Sequence, residues 1–180
     1  ITGGAGVDTI TATGGNNYID AGGGANTVTT SAGNDTIVTG SGADTVTSGA
    51  GDDHIFINGG IDTITAGAGN DTLIADYSAA LGAVTTSAPA GTLAAGYVGN
   101  ISGIGVATYS GIENFHITSG DFNDVIMTGA GDDIANSGAG SDHVILGDGT
   151  DIAVYTMAEN VGATDDYQGG LGVDTLRLNF

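Results

Sequence analysis

Aspartate recurs every nine residues along most of this chain. Thirteen rows of nine residues align without gaps inside each block: eight rows cover residues 3–74, four cover residues 119–154 and one covers residues 169–177. The sixth position of a row is Asp in eleven rows and Asn in the other two. These residues are Asp8, Asn17, Asn26, Asp35, Asp44, Asp53, Asp62, Asp71, Asp124, Asp133, Asp142, Asp151 and Asp174. Carboxylates at a fixed spacing can bind a hard metal cation if the fold brings them together.

The other positions of a row predict the element that carries the aspartate. The fourth position is Gly in twelve rows, with Phe122 as the exception, and the eighth position is always apolar. Closely spaced glycines allow a tight turn over the first six positions. The last three positions, as in Thr45-Val46-Thr47, alternate polar, apolar and polar, which predicts a very short strand with one buried side chain.

Two rows predict one coil of a flattened solenoid with a strand on each side, so that each row lies on the row two positions later. Parallel strands stack about 4.8 Å apart. The sixth positions then form two files, and at that spacing carboxylates repel by roughly several kcal/mol per pair. One buried aliphatic side chain per row does not offset the entropy cost of ordering nine residues. A divalent cation between the carboxylates would provide the missing stabilisation, and carboxylate and carbonyl oxygens favour Ca²⁺ over Mg²⁺ or Zn²⁺.

Composition excludes several functions. The chain has a net charge of −20, no Lys, no Cys and a single basic residue, Arg177. Binding to nucleic acid or to an anionic membrane surface is therefore excluded, as are disulfide bonds and thiolate metal sites. The least polar stretch, from Leu73 to Ile112, is interrupted by Gly, Ser, Thr, Asp76 and Pro89, so we expect no transmembrane helix. The absence of a start Met leads us to expect a piece of a longer protein.

The rows resemble the G-G-x-G-x-D-x-U-x nonapeptide of the RTX (repeats-in-toxin) family of calcium-binding proteins. Residues 3–11 (GGAGVDTIT) and 169–177 (GGLGVDTLR) match it at every fixed position. The resemblance implies an all-β fold, a right-handed parallel β-roll with calcium in the turns. It also implies that each ion is shared by two turns that lie two rows apart. The first turn supplies its Asp and the carbonyls of its second and fourth positions, and the other supplies its Asp and the carbonyls of its first and third.

Carried over to this sequence, the resemblance implies six calcium sites in the first array and two in the second. The implied carbonyl ligands are Gly4, Gly6, Ser31, Gly33, Gly40, Gly42, Ser48, Gly49, Ala50, Gly51, Ile57, Gly59, Ala66, Ala68, Gly120, Phe122, Gly129, Gly131, Ser137, Ala139, Leu146 and Asp148. About eight ions would bring the net charge from −20 to about −4. Sites that contain Asn17 or Asn26 are predicted to be weak or empty, and Phe122 weakens the case for its turn. Asp174 is expected to have no partner row in this chain.

The rows and the segments between them predict five parts. Residues 1–74 form the first array. Residues 75–118 are an inserted segment that ends in a degenerate row, Ser110 to Thr118, in which Phe115 takes the sixth position and no metal is expected. Residues 119–154 form the second array and residues 155–168 a second insertion. Residues 169–180 are a final repeat and a terminal strand.

No constellation of residues predicts an enzyme. His54, His116 and His143 fall in the variable seventh column, which favours surface or strand-edge roles. Asp52 beside Asp53, and Asp132 beside Asp133, place one carboxylate of each pair in the metal column rather than forming an acid–base pair. No Ser nucleophile with an evident His and acid partner is visible.

Two functions remain open at this stage. The first is a calcium-binding structural module of a secreted bacterial protein, such as a surface-layer protein or adhesin, in which self-association or lattice contacts could occur. The alternative is an accessory module of a type I-secreted enzyme or toxin (protease, lipase, epimerase or haemolysin) whose active domain lies elsewhere. Either hypothesis predicts an extracellular location and folding on calcium, because extracellular calcium modules bind at roughly 10⁻⁴–10⁻³ M.

Overall fold

The computed structural model describes residues 1–156 and 162–180. The secondary-structure elements within these residues are all β-strands. The strands form two sheets of eleven and eight strands. No helix in the described part of the chain is long and apolar enough to cross a bilayer. The fold is a parallel β-roll, as the sequence predicts.

Odd-numbered rows of the first array contribute to one sheet and even-numbered rows to the other. In order along the first sheet the strands are β1 (Thr9–Thr11), β3 (Thr27–Thr29), β5 (Thr45–Ala50), β7 (Thr63–Ala68), β12 (Val106–Ile112), β11 (Gly96–Ser102), β9 (Thr85–Thr86), β14 (Val125–Met127), β16 (His143–Ile145) and β18 (Asp166–Gln168), and β10 (Ala90–Thr92) pairs with β11. In order along the second they are β19 (Thr175–Asn179), β17 (Ile152–Thr156), β15 (Ile134–Asn136), β13 (Asn114–Thr118), β8 (Thr72–Asp76), β6 (His54–Ile57), β4 (Thr36–Val38) and β2 (Tyr18–Asp20).

The register within the arrays repeats every eighteen residues. Ile10 lies opposite Val28, which lies opposite Val46, which lies opposite Ile64. These eighth-position side chains from both sheets point inward and are almost completely buried. The threonines that flank each of them are exposed in the first sheet, for example at Thr45. The eighth-position residues, together with buried residues two places later such as Ala21, Ile57 and Ala66, therefore form a thin core with the period of two that a strand requires.

The roll continues through residues 75–118. In the first sheet, β12 pairs parallel with β7 and antiparallel with β11. Next to β11, β9 pairs antiparallel with β11 and parallel with β14. In the second sheet, β13 lies between β8 and β15, parallel to both. The inserted segment thus supplies strands to both sheets. Its core contains larger side chains than the rows do, with Tyr109 packed edge-on against Phe115 at 5.1 Å between ring centroids.

The segment at residues 155–168 also contributes to the roll. Its last residues form β18, which pairs parallel with β16 so that Tyr167 lies opposite Val144. The sequence rows do not include this strand. The central part of the segment, residues 157–161, lies outside the described residues.

Candidate metal centre

The turns between strands stack so closely that side chains are excluded at some positions. Gly60, in the fourth position of its row, has a φ of 110°, and a Cβ built on it would lie 1.6 Å from the carbonyl oxygen of Gly42 in the preceding coil. At Gly149 the corresponding distance to the carbonyl oxygen of Gly131 is 1.8 Å. The glycine column therefore lets the backbone carbonyls of one turn pack directly against the next turn.

The sixth-position side chains form hydrogen-bonded ladders along these turns. In each step the backbone N–H of one row donates to the Oδ1 atom of the residue in the next coil. The donor–acceptor distances in the arrays run from 2.7 Å for Asp35 to Asp53 to 2.9 Å for Asp44 to Asp62. The two files of the sequence are therefore present. The arrangement brings together Asp8 with Asn26, Asn26 with Asp44, Asp44 with Asp62, Asn17 with Asp35, Asp35 with Asp53, Asp53 with Asp71, Asp124 with Asp142 and Asp133 with Asp151.

Asp8 Oδ2 accepts the N–H of Gly4 at 2.8 Å, but most of the ladder aspartates, together with Asp165, have a second carboxylate oxygen that is buried without a hydrogen-bond partner. This holds for Oδ2 of Asp35, Asp44, Asp53, Asp62, Asp71, Asp124, Asp133, Asp142, Asp151 and Asp165. A buried carboxylate oxygen without a partner is costly, because burial removes its hydration. A row of such oxygens fits a hard cation, which needs oxygen ligands and cancels the repulsion between carboxylates.

Burial also changes the pKa values of the ladder carboxyls. Burial raises the pKa of Asp62, Asp142 and Asp151 to about 6. Burial also raises the pKa of Asp71 and Asp133 to about 7, and neighbouring carboxylates contribute to the increase. Without a cation, burial therefore shifts the protonation equilibrium of these groups toward the neutral carboxyl.

The structure shows where the carbonyls of the implied ligand set lie. Second-position carbonyls face the next coil, as Ser31 does toward Gly49, and so do fourth-position carbonyls, as Gly42 does toward Gly60. First-position carbonyls accept hydroxyl hydrogen bonds, for example Ala66 from Ser48 at 2.9 Å. Third-position carbonyls accept backbone N–H groups, for example Ala68 from Gly51 at 2.9 Å. A carbonyl oxygen has two lone pairs, so these contacts leave capacity for a further ligand contact.

Three carboxylates differ from what the sequence predicts. The expectation that Asp174 has no partner row is wrong, because β19 pairs with β17 and Asp174 Oδ1 accepts the N–H of Asp151 at 3.3 Å. Asp165, which belongs to no aligned row, accepts the N–H of Asp142 at 2.9 Å. Glu113 accepts the N–H of Asp71 at 2.8 Å. The Asp-Asp-Tyr-Gln sequence at residues 165–168, an acidic residue followed by polar, apolar and polar positions, is the signal for the missed row.

Phe115 takes the place of a sixth-position residue in the hydrogen-bonded ladder only on the side of its strand that faces the second array. Its N–H donates to Asp133 Oδ1 at 2.7 Å, as the nine-residue frame predicts. On the other side, β13 is offset by two residues, so that Asn114 lies opposite Thr72 and Glu113 faces Asp71. The degenerate row therefore pairs with the second array in the nine-residue frame, but its pairing with the first array is shifted by two residues.

The adjacent aspartates do not form acid–base pairs. Asp53 is buried in the ladder, whereas Asp52 is exposed and accepts the N–H of Asn70 at 2.9 Å. Asp132 similarly accepts the N–H of Thr150 at 3.0 Å. These residues belong to an outer ladder of fifth-position side chains: Asn16, Asn34, Asp52, Asn70, Asn114 and Asp132.

The histidines differ in exposure, because His54 is exposed whereas His116 and His143 are half-buried. His54 is exposed in β6, and His143 Nδ1 lies 3.0 Å from Asp166 Oδ2. Burial lowers the pKa of His116. Across residues 1–156 and 162–180, no three His, Cys, Asp or Glu side chains converge on a point that could hold a metal ion. A cation in the ladders would therefore be held by two side chains and by backbone carbonyls.

The roll, its glycine turns and its files of half-paired carboxylates define a calcium-binding repeat protein. The family model of the RTX calcium-binding nonapeptide repeat (4 copies) matches residues 2–37, 20–55, 29–64, 56–78 and 118–153. Together these matches cover more than half of the chain, and the chain belongs to this family. No curated protein matches it significantly along its sequence. RTX repeats are structural calcium-binding modules that occur in secreted proteins.

Proposed function

We propose that this chain is a calcium-binding structural module of a secreted bacterial protein, and that it folds when it binds calcium outside the cell. The observation that carries this proposal is the series of buried Oδ2 atoms without partners in both files. In the same turns, backbone carbonyls stack on the glycines of the adjacent coil, as the carbonyl of Gly42 does on Gly60. Such a series is unfavourable without a cation and favourable with one.

The ligand sets follow the paired rows. One site comprises Asp44 and Asp62, and its opposite neighbour comprises Asp53 and Asp71, each with carbonyls of the two turns. In the second array the pairs are Asp133 with Asp151 and Asp124 with Asp142. Asp142 with Asp165 and Asp151 with Asp174 extend the same arrangement, which raises the number of sites above the eight derived from the rows. Asn17 and Asn26 replace one charge each and leave their sites weak or empty.

The difference in calcium concentration between compartments would then control folding. Extracellular modules bind calcium at roughly 10⁻⁴–10⁻³ M, far above cytoplasmic concentrations. Because the carboxylates come together only in the folded chain, binding energy becomes folding energy. A chain that stays unfolded before export and folds afterwards suits type I secretion.

The module is proposed to act in a surface-layer or adhesin-type protein and to have no catalytic role itself. The Thr-, Gly- and Ala-rich composition and the absence of Lys support this context. The second candidate, an accessory module of an exported enzyme or toxin, shares the same sites. Calcium-dependent two-dimensional assembly of the purified chain would favour the first candidate.

The test is a calcium titration followed by far-UV circular dichroism and sedimentation velocity, with magnesium as the control. We expect a cooperative gain of β-structure with compaction in calcium and little change in magnesium. A chain that is equally folded and compact in chelator would contradict the proposal, since the carboxylate files would then need no cation.

A further inference from the structure

Glu113 occupies a place in the carboxylate ladder that the nonapeptide pattern does not assign to it. Its Oε2 atom accepts the N–H of Asp71 at 2.8 Å, just as Asp71 Oδ1 accepts the N–H of Asp53 at 2.9 Å. The Glu113 residue is only 5% exposed. A carboxylate from the inserted segment therefore continues the file of the first array by one step.

A local irregularity of the backbone makes this possible. The carbonyl of Asp71 accepts both the N–H of Glu113, at 3.1 Å, and the N–H of Asn114, at 3.0 Å. Two successive N–H groups on one carbonyl indicate a bulge, which redirects side chains at the end of a strand. The bulge and the longer Glu side chain place a carboxylate where a regular row would have its Asp.

A second observation points to a ligand at this position. Asp71 is fully buried, and its Oδ2 atom has no hydrogen-bond partner. Two carboxylates thus meet where one oxygen lacks a partner, and Glu113 adds to the charge around Asp71. Beside them, Gly69, Asn70, Glu113 and Asn114 border a cavity of about 340 Å³, which offers further oxygen atoms.

We propose that Asp71 and Glu113 bind an additional calcium ion, which links the inserted segment to the first array. The inference rests on the proposed function, because it assumes that the file from Asn17 to Asp71 binds calcium. The ligand class is the same hard divalent cation, held by two carboxylates and backbone carbonyls. The site lies where the chain passes from β12 to β13.

This site would couple the folding of the insertion to calcium. A Cβ built on Gly96, in β11, would lie 2.8 Å from Glu113 Oε1, and one built on Gly111, in β12, would lie 3.1 Å from the carbonyl oxygen of Gly67. The β11–β12 pair therefore packs against the Glu113 carboxylate and the turn of the preceding row. Neutralising that carboxylate with a cation favours this close packing, whereas leaving two buried carboxylates side by side opposes it.

The variant Glu113→Gln tests the site, because it keeps an oxygen that can accept the N–H of Asp71 and removes the charge. The matched control is Asp121→Asn, which makes the same chemical change at an exposed aspartate that does not line this cavity. The measurements are calcium bound per chain at saturation, by equilibrium dialysis, and hydrogen exchange of the β11 and β12 amides. We expect Glu113→Gln to bind one ion fewer and to exchange faster in β11 and β12, while Asp121→Asn behaves like the parent.

An unchanged ion count and unchanged exchange in Glu113→Gln would overturn this inference while the parent still binds calcium. A parent chain that binds no calcium would instead refute the proposed function. If Glu113→Gln does not fold at any calcium concentration, Glu113→Asp decides: the same number of ions with weaker binding at one site supports the inference, and unchanged binding overturns it.

Discussion

The buried ladder aspartates, such as Asp53, use their two carboxylate oxygens differently. Oδ1 accepts a backbone N–H from the preceding coil and sets the spacing of the turns, while Oδ2 is buried and free of hydrogen bonds. Asn26 separates these two roles. Its Oδ1 still accepts the N–H of Asp8 at 2.9 Å, but its Nδ2 donates to the carbonyl of Gly24 at 3.1 Å. Asparagine therefore preserves the ladder and loses the anionic ligand.

The first prediction replaces Asp by Asn at one ladder position and Asn by Asp at another. Asp53→Asn should raise the calcium concentration at half-folding by about tenfold or more, because Asp53 contributes to two sites. Even residues that only orient metal ligands typically change metal affinity about 10–100-fold when they are replaced. Asn26→Asp should shift the midpoint in the opposite direction. Circular dichroism during a calcium titration measures both. Asp52→Asn is the control on the adjacent exposed residue, and an equal shift there would show that general charge, rather than the ladder position, determines the midpoint.

The second prediction concerns the glycine column. Gly60→Ala should destabilise the calcium-loaded roll by about 1–3 kcal/mol, because its φ of 110° and the nearby Gly42 carbonyl both oppose a side chain. Gly6 has the same position in its row but has open space around it. Gly6→Ala should therefore be close to neutral. Urea unfolding in saturating calcium compares the two, and equal losses would refute the argument from close packing.

At the scale of elements, the sequence predicts the regular parts of the roll well. The last three positions of each row form strands, and rows stack eighteen residues apart, because local turn chemistry and one apolar position per row determine both. Glu113 and Asp165 could not be found from the nine-residue frame. Glu113 depends on a two-residue offset between strands, and Asp165 lies 23 residues, not 18, after Asp142. Both are set by tertiary pairing, which a repeat pattern does not contain.

The third prediction tests whether the insertion is part of the core. Ile101 is fully buried in β11, and Val98 on the same strand is 53% exposed. Ile101→Ala should lower the free energy of unfolding of the calcium-loaded protein by about 2–5 kcal/mol. Val98→Ala should change it by less than about 1 kcal/mol. A single cooperative urea transition is expected for both. Loss of structure in residues 85–112 alone, with the arrays intact, would mean that the insertion folds separately.

At the scale of the whole molecule, ten of the 21 acidic residues behind the net charge of −20 are buried: nine ladder aspartates and Glu113. Buried files of aspartate run along both edges of the roll, and one arginine is the only positively charged side chain. Protein groups therefore cannot neutralise the ladders. Protons or bound cations must do so, and the two compete for the same oxygens.

The fourth prediction follows from this competition and concerns pH. In the calcium-free fold, the pKa of Asp62 is raised to about 6 and those of Asp71 and Asp133 to about 7, while in the unfolded chain they lie near 3.8. Between these values the folded state binds more protons than the unfolded state. The stability of the calcium-free roll should therefore be greatest below about pH 4 to 5 with respect to these groups and decrease as pH rises through 6 to 7.

Calcium should reverse the direction of this dependence. Binding requires ionised carboxylates, so calcium affinity should fall as pH decreases through 7 to 6, and binding at pH 6.5 should release protons. The measurements are urea unfolding of calcium-free and calcium-loaded protein from pH 5 to 8 at constant ionic strength, with proton release followed in weakly buffered solution. If the calcium-free chain gains no structure or stability on acidification, the ladder carboxyls are not buried in that state. The calcium-free chain would then be unfolded over the whole range, with calcium needed to form the roll as well as to stabilise it.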